Sequence, residues 1–272
     1  MSYSKRPGNG KKKQPPIMTL SQDQLFSLGV TFLVVLVFFA GLLLPKNHAT
    51  LVFNGEDTQV TIFHQPEYST PTTGELTVSA WMRPETLEFS KSEGSGYVYW
   101  LGKGEKDDFE WTFRMYSQSN TELRDNRISF YVFNKSGGLG VGAYFQEPVT
   151  PNEWIHVVAT VDRSNVSIYK NGLWKNTQDH TQNVVLETGA SPVRIGTRNE
   201  RSFFKGNIKD VAIYNRKLRS DEVMRLFQQP ENIPQNGLVG YWRLNEGIGF
   251  IANDSGSPQN SGTITNPTWI EP

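Results

Sequence analysis

Three acidic residues, Glu105, Asp107 and Glu110, follow one another at a spacing that could support glycoside hydrolysis. That reaction uses two carboxyl groups, about 5 Å apart in retaining enzymes, one as the nucleophile and the other as the acid and base. The acids must project from one face of a strand, with apolar residues between them. Lys106 and Asp108 instead make the run continuously charged, which favours a solvated loop. The sequence therefore predicts that this run is not catalytic.

The other reactive residue types form no catalytic or metal-binding pattern. The chain contains no cysteine, which excludes thiol nucleophiles, thiolate metal sites and disulfides. Its four histidines lack the spacing of a metal site, and the sequence contains no Gly-x-Ser-x-Gly motif. His156 lies within a strand-like run and is predicted to be structural. We therefore predict that the protein is not an enzyme.

A run of uncharged residues from Leu25 to Leu44 is long enough to cross a bilayer as one helix. A cleaved signal peptide is the alternative, but its apolar region would be shorter and would end in a small-x-small cleavage site. Residues 45–49 (PKNHA) make a poor cleavage site. We predict a retained signal-anchor over residues 25–44.

Residues 1–24 contain five basic residues and one acidic residue, so the positive-inside rule places them in the cytoplasm. Their composition predicts a disordered tail. The remaining residues are then extracytoplasmic, in the periplasm or at the cell surface. Removing the tail from the 27 basic and 27 acidic residues of the whole chain leaves 22 against 26. A weakly acidic domain is a poor nucleic-acid ligand, and an exported domain without disulfides suits a bacterial envelope.

Short alternating and aromatic-rich runs between turn signals dominate residues 46–272. The run WIHVVATV at 154–161 has strand periodicity, and Asn171-Gly172 supplies the residues that a tight hairpin needs. Many closely spaced strands without long helices predict an all-β fold, a sandwich or a barrel.

Three segments resemble, in order and spacing, the laminin-G-like jelly rolls of the concanavalin A-like lectin and glucanase superfamily. They are TVSAWMRPE at 77–85, EWIHVVATVDRSNVSIYKNG at 153–172 and FKGNIKDVAIYNRKLRSDEVMRLF at 204–227. The resemblance implies an antiparallel β-sandwich of jelly-roll type over residues 46–272. It is specific for the fold and not for a ligand.

The two ends of the domain stand in an unusual order for this family. The strand that resembles F-D-G comes first, at 51–62, and the segment that resembles the usual opening strand comes last, at 237–269. We expect residues 237–272 to complete the sheet in a circularly permuted order, because so short a β segment could not bury its own apolar face. The alternative is the start of a second, truncated repeat.

Calcium is the cofactor that the resemblance implies, since several jelly rolls of this class hold one through carboxylate and carbonyl oxygens. The candidate ligands are Asp57, Asp210 and Asp254. Asn54 and Lys209 stand where the family often has acids, which reduces the attraction for a cation. Asp254 could instead cap its own turn.

Exposed aromatic side chains are the candidate ligand-binding residues, because sugar rings pack against aromatic faces beside polar groups. Trp174 directly follows the Asn-Gly hairpin. The other candidates, Tyr97, Tyr99 and Trp100, follow the loop at residues 94–96.

These observations lead us to expect a membrane-anchored, non-catalytic module that binds a glycan or another cell-surface polymer. A protein-binding or structural subunit of a membrane complex is the alternative, and Arg198, Arg201 and Arg219 would suit such an interface. A glycoside hydrolase is a minor alternative.

Overall fold

The structure is a computed structural model that describes residues 1, 21–22, 49–256 and 260–271. The fold reported below is that of the unit Asn47–Pro272. The predicted anchor at residues 25–44 and nearly all of the predicted tail lie outside the described residues. Within the described residues, no helix is both long enough and apolar enough to span a bilayer.

Sixteen strands and one α-helix, numbered in chain order, make up the described part of this unit. The strands are β1 (Thr50–Asn54), β2 (Gln59–Ile62), β3 (Leu76–Pro84), β4 (Tyr97–Glu105), β5 (Asp108–Tyr116), β6 (Arg127–Val132), β7 (Val141–Gln146), β8 (Ile155–Val161), β9 (Asn165–Lys170), β10 (Leu173–Asp179), β11 (Val193–Ile195), β12 (Lys205–Tyr214), β13 (Leu238–Trp242), β14 (Ile251–Ala252), β15 (Gly262–Thr265) and β16 (Thr268–Ile270), and the helix is α1 (Ser220–Gln228).

The strands form two antiparallel sheets. The first sheet has the order β10-β9-β8-β3-β12-β1-β16, with β13 paired to β12, and the second has the order β14-β15-β2-β11-β4-β5-β6-β7. The apolar core includes inward-facing side chains of both sheets, such as Val78 and Val157 of the first and Phe113 and Phe130 of the second. The prediction of an all-β, antiparallel β-sandwich is confirmed.

Strand alternation decides which side chains enter this core. In β5, Phe113 and Met115 are fully buried against the first sheet, whereas Arg114 between them points to the opposite face. In β6, Phe130 and Val132 are buried in the same way, and Tyr131 lies on the outer face with Arg114. The two strands therefore present one apolar face and one face rich in aromatic and basic groups.

The C-terminal segment adds strands to both sheets. β13 pairs with β12, β15 pairs with β2, and β16 pairs with β1. The segment after residue 237 thus lies beside the first strands of the domain. The Asn171-Gly172 hairpin is present between β9 and β10, with both residues at positive φ.

The charged run at residues 105–110 is a hairpin, which corrects the prediction of a solvated loop. Only Lys106 and Asp107 form the turn, and Glu110 lies within β5 at 5% exposure. The carboxylate of Glu110 forms an ion pair with the fully buried Lys103 and accepts hydrogen bonds from Ser69 Oγ at 3.1 Å and Gly189 N at 2.9 Å. Burial of both charges together explains why so polar a run enters the sheet.

Candidate functional site

A cleft of about 890 Å³ lies on the outer face of the second sheet. Its floor is formed by outward-facing residues of β4, β5 and β6, together with the segment that follows β11. Four tyrosine rings line it on neighbouring strands, namely Tyr97 and Tyr99 of β4, Tyr116 of β5 and Tyr131 of β6. Strand alternation brings these rings to one face, opposite the core.

Arg114 occupies the middle of this aromatic floor. Its guanidinium carbon lies 4.3 Å from the ring centroid of Tyr131, 4.7 Å from that of Tyr97 and 5.2 Å from that of Tyr99. These distances are those of cation–π contacts. Its Nη2 donates a long hydrogen bond of 3.4 Å to the Tyr99 hydroxyl.

Arg198 lies beside Arg114 in the segment after β11. Its guanidinium carbon lies 4.0 Å from the centroid of Tyr99 and 4.6 Å from that of Phe109. Gly102 of β4 makes room for it, because a Cβ at that position would lie 3.0 Å from Cγ of Arg198. Burial lowers the pKa of Arg198. The group nonetheless stays charged near neutral pH, since free arginine titrates above pH ~12.

Two other arginines of the cleft have carboxylate partners. Arg194 Nη2 lies 2.6 Å from Glu105 Oε1, and Arg194 Nε lies 3.3 Å from Glu200 Oε1. At the far side, Arg124 Nη1 lies 2.6 Å from Glu122 Oε2. The rim is therefore close to charge balance, and the positive charge of the floor belongs to Arg114 and Arg198.

The hydroxyl groups of Tyr97 and Tyr131 in this floor stay protonated. Burial raises the pKa of Tyr97 and of Tyr131 above the usual value for tyrosine. Each hydroxyl can therefore donate a hydrogen bond to a ligand at physiological pH. Rings that offer apolar faces, beside hydroxyl and guanidinium donors, suit a polar ligand with apolar faces of its own.

Two of the four predicted aromatic residues line this cleft, and the other two do not. Tyr97 and Tyr99 belong to its floor, but the expectation that Tyr99 is exposed is corrected, because it is 4% exposed and contacts the guanidinium groups of Arg114 and Arg198. The expectation that Trp100 presents a ring to solvent is corrected, because it is 0% exposed and stacks on Phe113 in the core with centroids 4.5 Å apart. Trp174 is 58% exposed, but it lies on β10 of the first sheet, outside the cleft.

Arg114 and Tyr131 were not predicted as site residues. A signal for both exists in the sequence, because Arg114 and Tyr131 stand at the positions of WTFRM and RISFYV that alternate with the apolar core residues. Arg198 was expected only as part of a protein interface. Nothing in the sequence shows that the segment after β11 folds across β4.

The three predicted calcium ligands each bond to protein donors in a separate environment. Asp57 accepts from the side-chain amides of Asn54 and Asn266, both at 2.8 Å. Asp210 accepts from the Tyr241 hydroxyl at 2.9 Å, and burial raises its pKa.

Asp254 accepts from backbone N–H groups of its own turn, those of Gly256 at 2.7 Å and Asn260 at 2.9 Å. In the part of the chain that the structure describes, no group of three or more histidines or acids could hold a metal ion. These carboxylates do not fit one shared calcium site, and calcium binding stays a prediction.

His156 is buried in the first sheet, where its Nε2 lies 2.9 Å from Ser79 Oγ and its ring is close to those of Trp81 and Phe227. Burial lowers its pKa to about 3. A neutral, enclosed imidazole on the sheet opposite the cleft agrees with a structural role.

Two solved structures share this fold. One is a protein of Bacteroides ovatus described as a candidate carbohydrate binding protein, with a TM-score of 0.58 and 16% identity, and the match covers 82% of this chain and 60% of that chain. The other is a heptameric SAP-like pentraxin of Limulus polyphemus, with a TM-score of 0.55 and 13% identity, and the match covers 84% of this chain and 95% of that chain. At such identities the likeness concerns the fold alone.

Comparison with curated proteins finds no match. Comparison with family models matches residues 52–224 to the family described as the concanavalin A-like lectin/glucanases superfamily. That match covers more than half of the chain and agrees with the two-sheet sandwich described above. This chain therefore belongs to the concanavalin A-like lectin/glucanases superfamily.

Proposed function

We propose that this chain is a non-catalytic binding module that holds a glycan in the cleft on the outer face of the second sheet. The observation that carries the proposal is the tyrosine floor of the cleft, in which Tyr97 and Tyr131 are half-buried while Tyr99 and Tyr116 are only 4% and 1% exposed. Aromatic faces pack against the C–H surfaces of sugar rings, and the hydroxyl groups beside them donate hydrogen bonds to sugar oxygens. A cavity of about 890 Å³ has room for several sugar units.

The comparisons support binding as the class of function. The Bacteroides ovatus protein is described as a candidate carbohydrate binding protein, and this chain spans 60% of its length. The absence of catalysis is supported by the ion pairs of two acids from the run at residues 105–110. Glu110 is buried and paired with Lys103, and Glu105 is paired with Arg194 at the rim.

The proposal includes the location of the module. Residues 25–44 would anchor the chain as one membrane-spanning helix, residues 1–24 would lie in the cytoplasm, and the sandwich would face the periplasm or the cell surface. This location is supported by the uncharged run and by the basic residues that precede it.

A protein partner is the second candidate, and one observation favours it. Leu173 and Trp174 are 56% and 58% exposed at the start of β10, an edge strand of the first sheet. Exposed aromatic and aliphatic groups on an edge strand are typical of protein interfaces. This surface lies on the sheet opposite the cleft, so variants can separate the two candidates.

A glycan array tests the proposal directly. The full chain is purified in a detergent without a sugar headgroup, so that the detergent cannot compete for the cleft. We expect selective binding to a small set of glycans and no new reducing ends after prolonged incubation with them. Release of reducing ends would favour the hydrolase, and silence across the array from a folded sample would favour the protein partner.

A further inference from the structure

The floor of the cleft contains a buried positive charge without a negative partner. Arg198 is only 2% exposed, and its Nε and Nη1 have no hydrogen-bond partner among the residues that the structure describes. The guanidinium is enclosed by the rings of Tyr99, Phe109 and Phe133, at 4.0, 4.6 and 5.5 Å. Rings offset part of the loss of hydration, but they do not accept conventional hydrogen bonds from the two buried nitrogens.

Arg114 adds a second unpaired guanidinium to the same floor. Its buried Nε also has no hydrogen-bond partner in the described part of the chain. Its Nη2 donates the 3.4 Å hydrogen bond to the Tyr99 hydroxyl described above. Glu93 lines the cleft as well, but among the described residues no ion pair joins it to either arginine.

Buried arginine donors normally have acceptors, because an unsatisfied buried donor is costly. Arg194, the other buried arginine of this cleft, has carboxylate oxygens at 2.6 Å and 3.3 Å, although its Nε is also without a hydrogen bond among the described residues. Arg114 and Arg198 depart from this rule although both line the cleft, where Nη2 is the Arg198 nitrogen that is not enclosed. A guanidinium offers a planar fork of donors that matches the oxygens of a carboxylate or a sulfate. The acceptor that the chain itself does not provide can therefore be supplied by a ligand.

We propose that the cleft selects an acidic glycan, and that Arg198 and Arg114 bind the carboxylate or sulfate group of its sugars. The inference rests on the proposed function, since it names the ligand class of the same cleft. The neighbouring tyrosines Tyr97 and Tyr131 then pack against the sugar ring that carries the acidic group.

The test uses matched sets of glycans with the full chain. Each set contains a uronic acid oligosaccharide, the same oligosaccharide with its carboxyl groups reduced to alcohols, and a sulfated derivative of the reduced form. We expect reduction to weaken binding by about tenfold or more, the effect of losing charge-assisted hydrogen bonds. If the sulfated form restores the affinity, any oxyanion is sufficient for binding. If it does not, the carboxylate itself is required.

Equal binding of the acidic and reduced forms would overturn the acidic-ligand inference and leave glycan binding in place. Binding to no member of any set would overturn both. These outcomes need no variant, so they do not depend on whether a substituted chain folds.

Variants then test which residues hold the oxyanion. Arg198→Met and Arg114→Gln should each lose about tenfold in affinity for the acidic form and lose its preference over the reduced form. Arg225→Met removes the same charge from the exposed face of α1 and is the matched control. A loss of affinity as large in Arg225→Met would show that overall charge, and not the cleft, attracts the glycan.

Discussion

The guanidinium carbon of Arg198 lies 4.0 Å from the centroid of the Tyr99 ring, in a position from which water is largely excluded. A desolvated cation–π contact of this kind contributes about 2 kcal/mol. Burial of an uncompensated charge costs at least as much. We therefore expect Arg198→Met to unfold in urea at the same midpoint as the wild type, or at a higher one.

The control for this stability measurement is Arg194→Met. Arg194 is also buried, but it pairs with Glu105 and donates to the Arg198 carbonyl at 3.1 Å. Its loss should lower the free energy of unfolding by about 1 to 2 kcal/mol. A larger loss in Arg198→Met than in Arg194→Met would mean that Arg198 is a structural residue.

The buried pair Lys103–Glu110 should dominate the stability of the β4–β5 hairpin. Lys103→Met leaves the Glu110 carboxylate buried without its cation, and breaking such a pair costs about 3 to 5 kcal/mol. In the double variant Lys103→Met/Glu110→Gln, the neutral amide can still accept from Ser69 and Gly189, so more than half of the loss should be recovered. Urea unfolding measures the free energy of unfolding of the single and of the double variant. Equal values for the two variants would contradict this account.

His156 should make the fold sensitive to mild acid. Its pKa is about 3 in the fold, whereas an unfolded chain has the ordinary value of about 6.5. Between these two pKa values the imidazole is protonated in the unfolded state and neutral in the folded state. The free energy of unfolding is therefore highest above pH ~6.5 and falls as the pH falls towards ~3. The loss approaches about 1.4 kcal/mol per pH unit.

Urea unfolding at a series of pH values between about 7 and 5 checks this dependence. His156→Gln should show a flatter profile than the wild type in that window, because glutamine does not titrate. Parallel profiles for the two proteins would show that another group causes the acid sensitivity.

Removal of calcium should leave binding in the cleft unchanged. None of Asp57, Asp210 and Asp254 lines the cleft, and each is already bonded to protein donors. Binding of the strongest array ligand, measured with calcium and again with a chelator, tests this. Chelator-sensitive binding would favour the calcium site predicted from the sequence.

Strand periodicity and three motifs were enough to predict the β-sandwich, because alternation and turn chemistry are local properties of the chain. The cleft was predicted only in part. Tyr97 and Tyr99 were identified as aromatic candidates, but alternation places Trp100 on the opposite face from Tyr99, in the core. Arg198 joins the site because the chain after β11 crosses β4, a long-range contact that no local pattern encodes.

The burial of Glu110 could not be predicted for the same reason. Its local sequence is charged and indicates a solvent-exposed turn, whereas its partners Ser69 and Gly189 lie far away in the chain. The ion pair with Lys103 and the hydrogen bonds from Ser69 and Gly189 outweigh the preference of this charged run for solvent.

The most direct test of the account is the affinity of three proteins for the strongest glycan of the array: the wild type, Tyr131→Ala and Trp174→Ala. Tyr131 lines the cleft and Trp174 lies on the opposite sheet, and each substitution removes one aromatic side chain. The account predicts that Tyr131→Ala weakens binding by about tenfold or more while Trp174→Ala leaves it unchanged. Loss of binding in Trp174→Ala with full binding in Tyr131→Ala would place the ligand on β10 and contradict the cleft as the binding site.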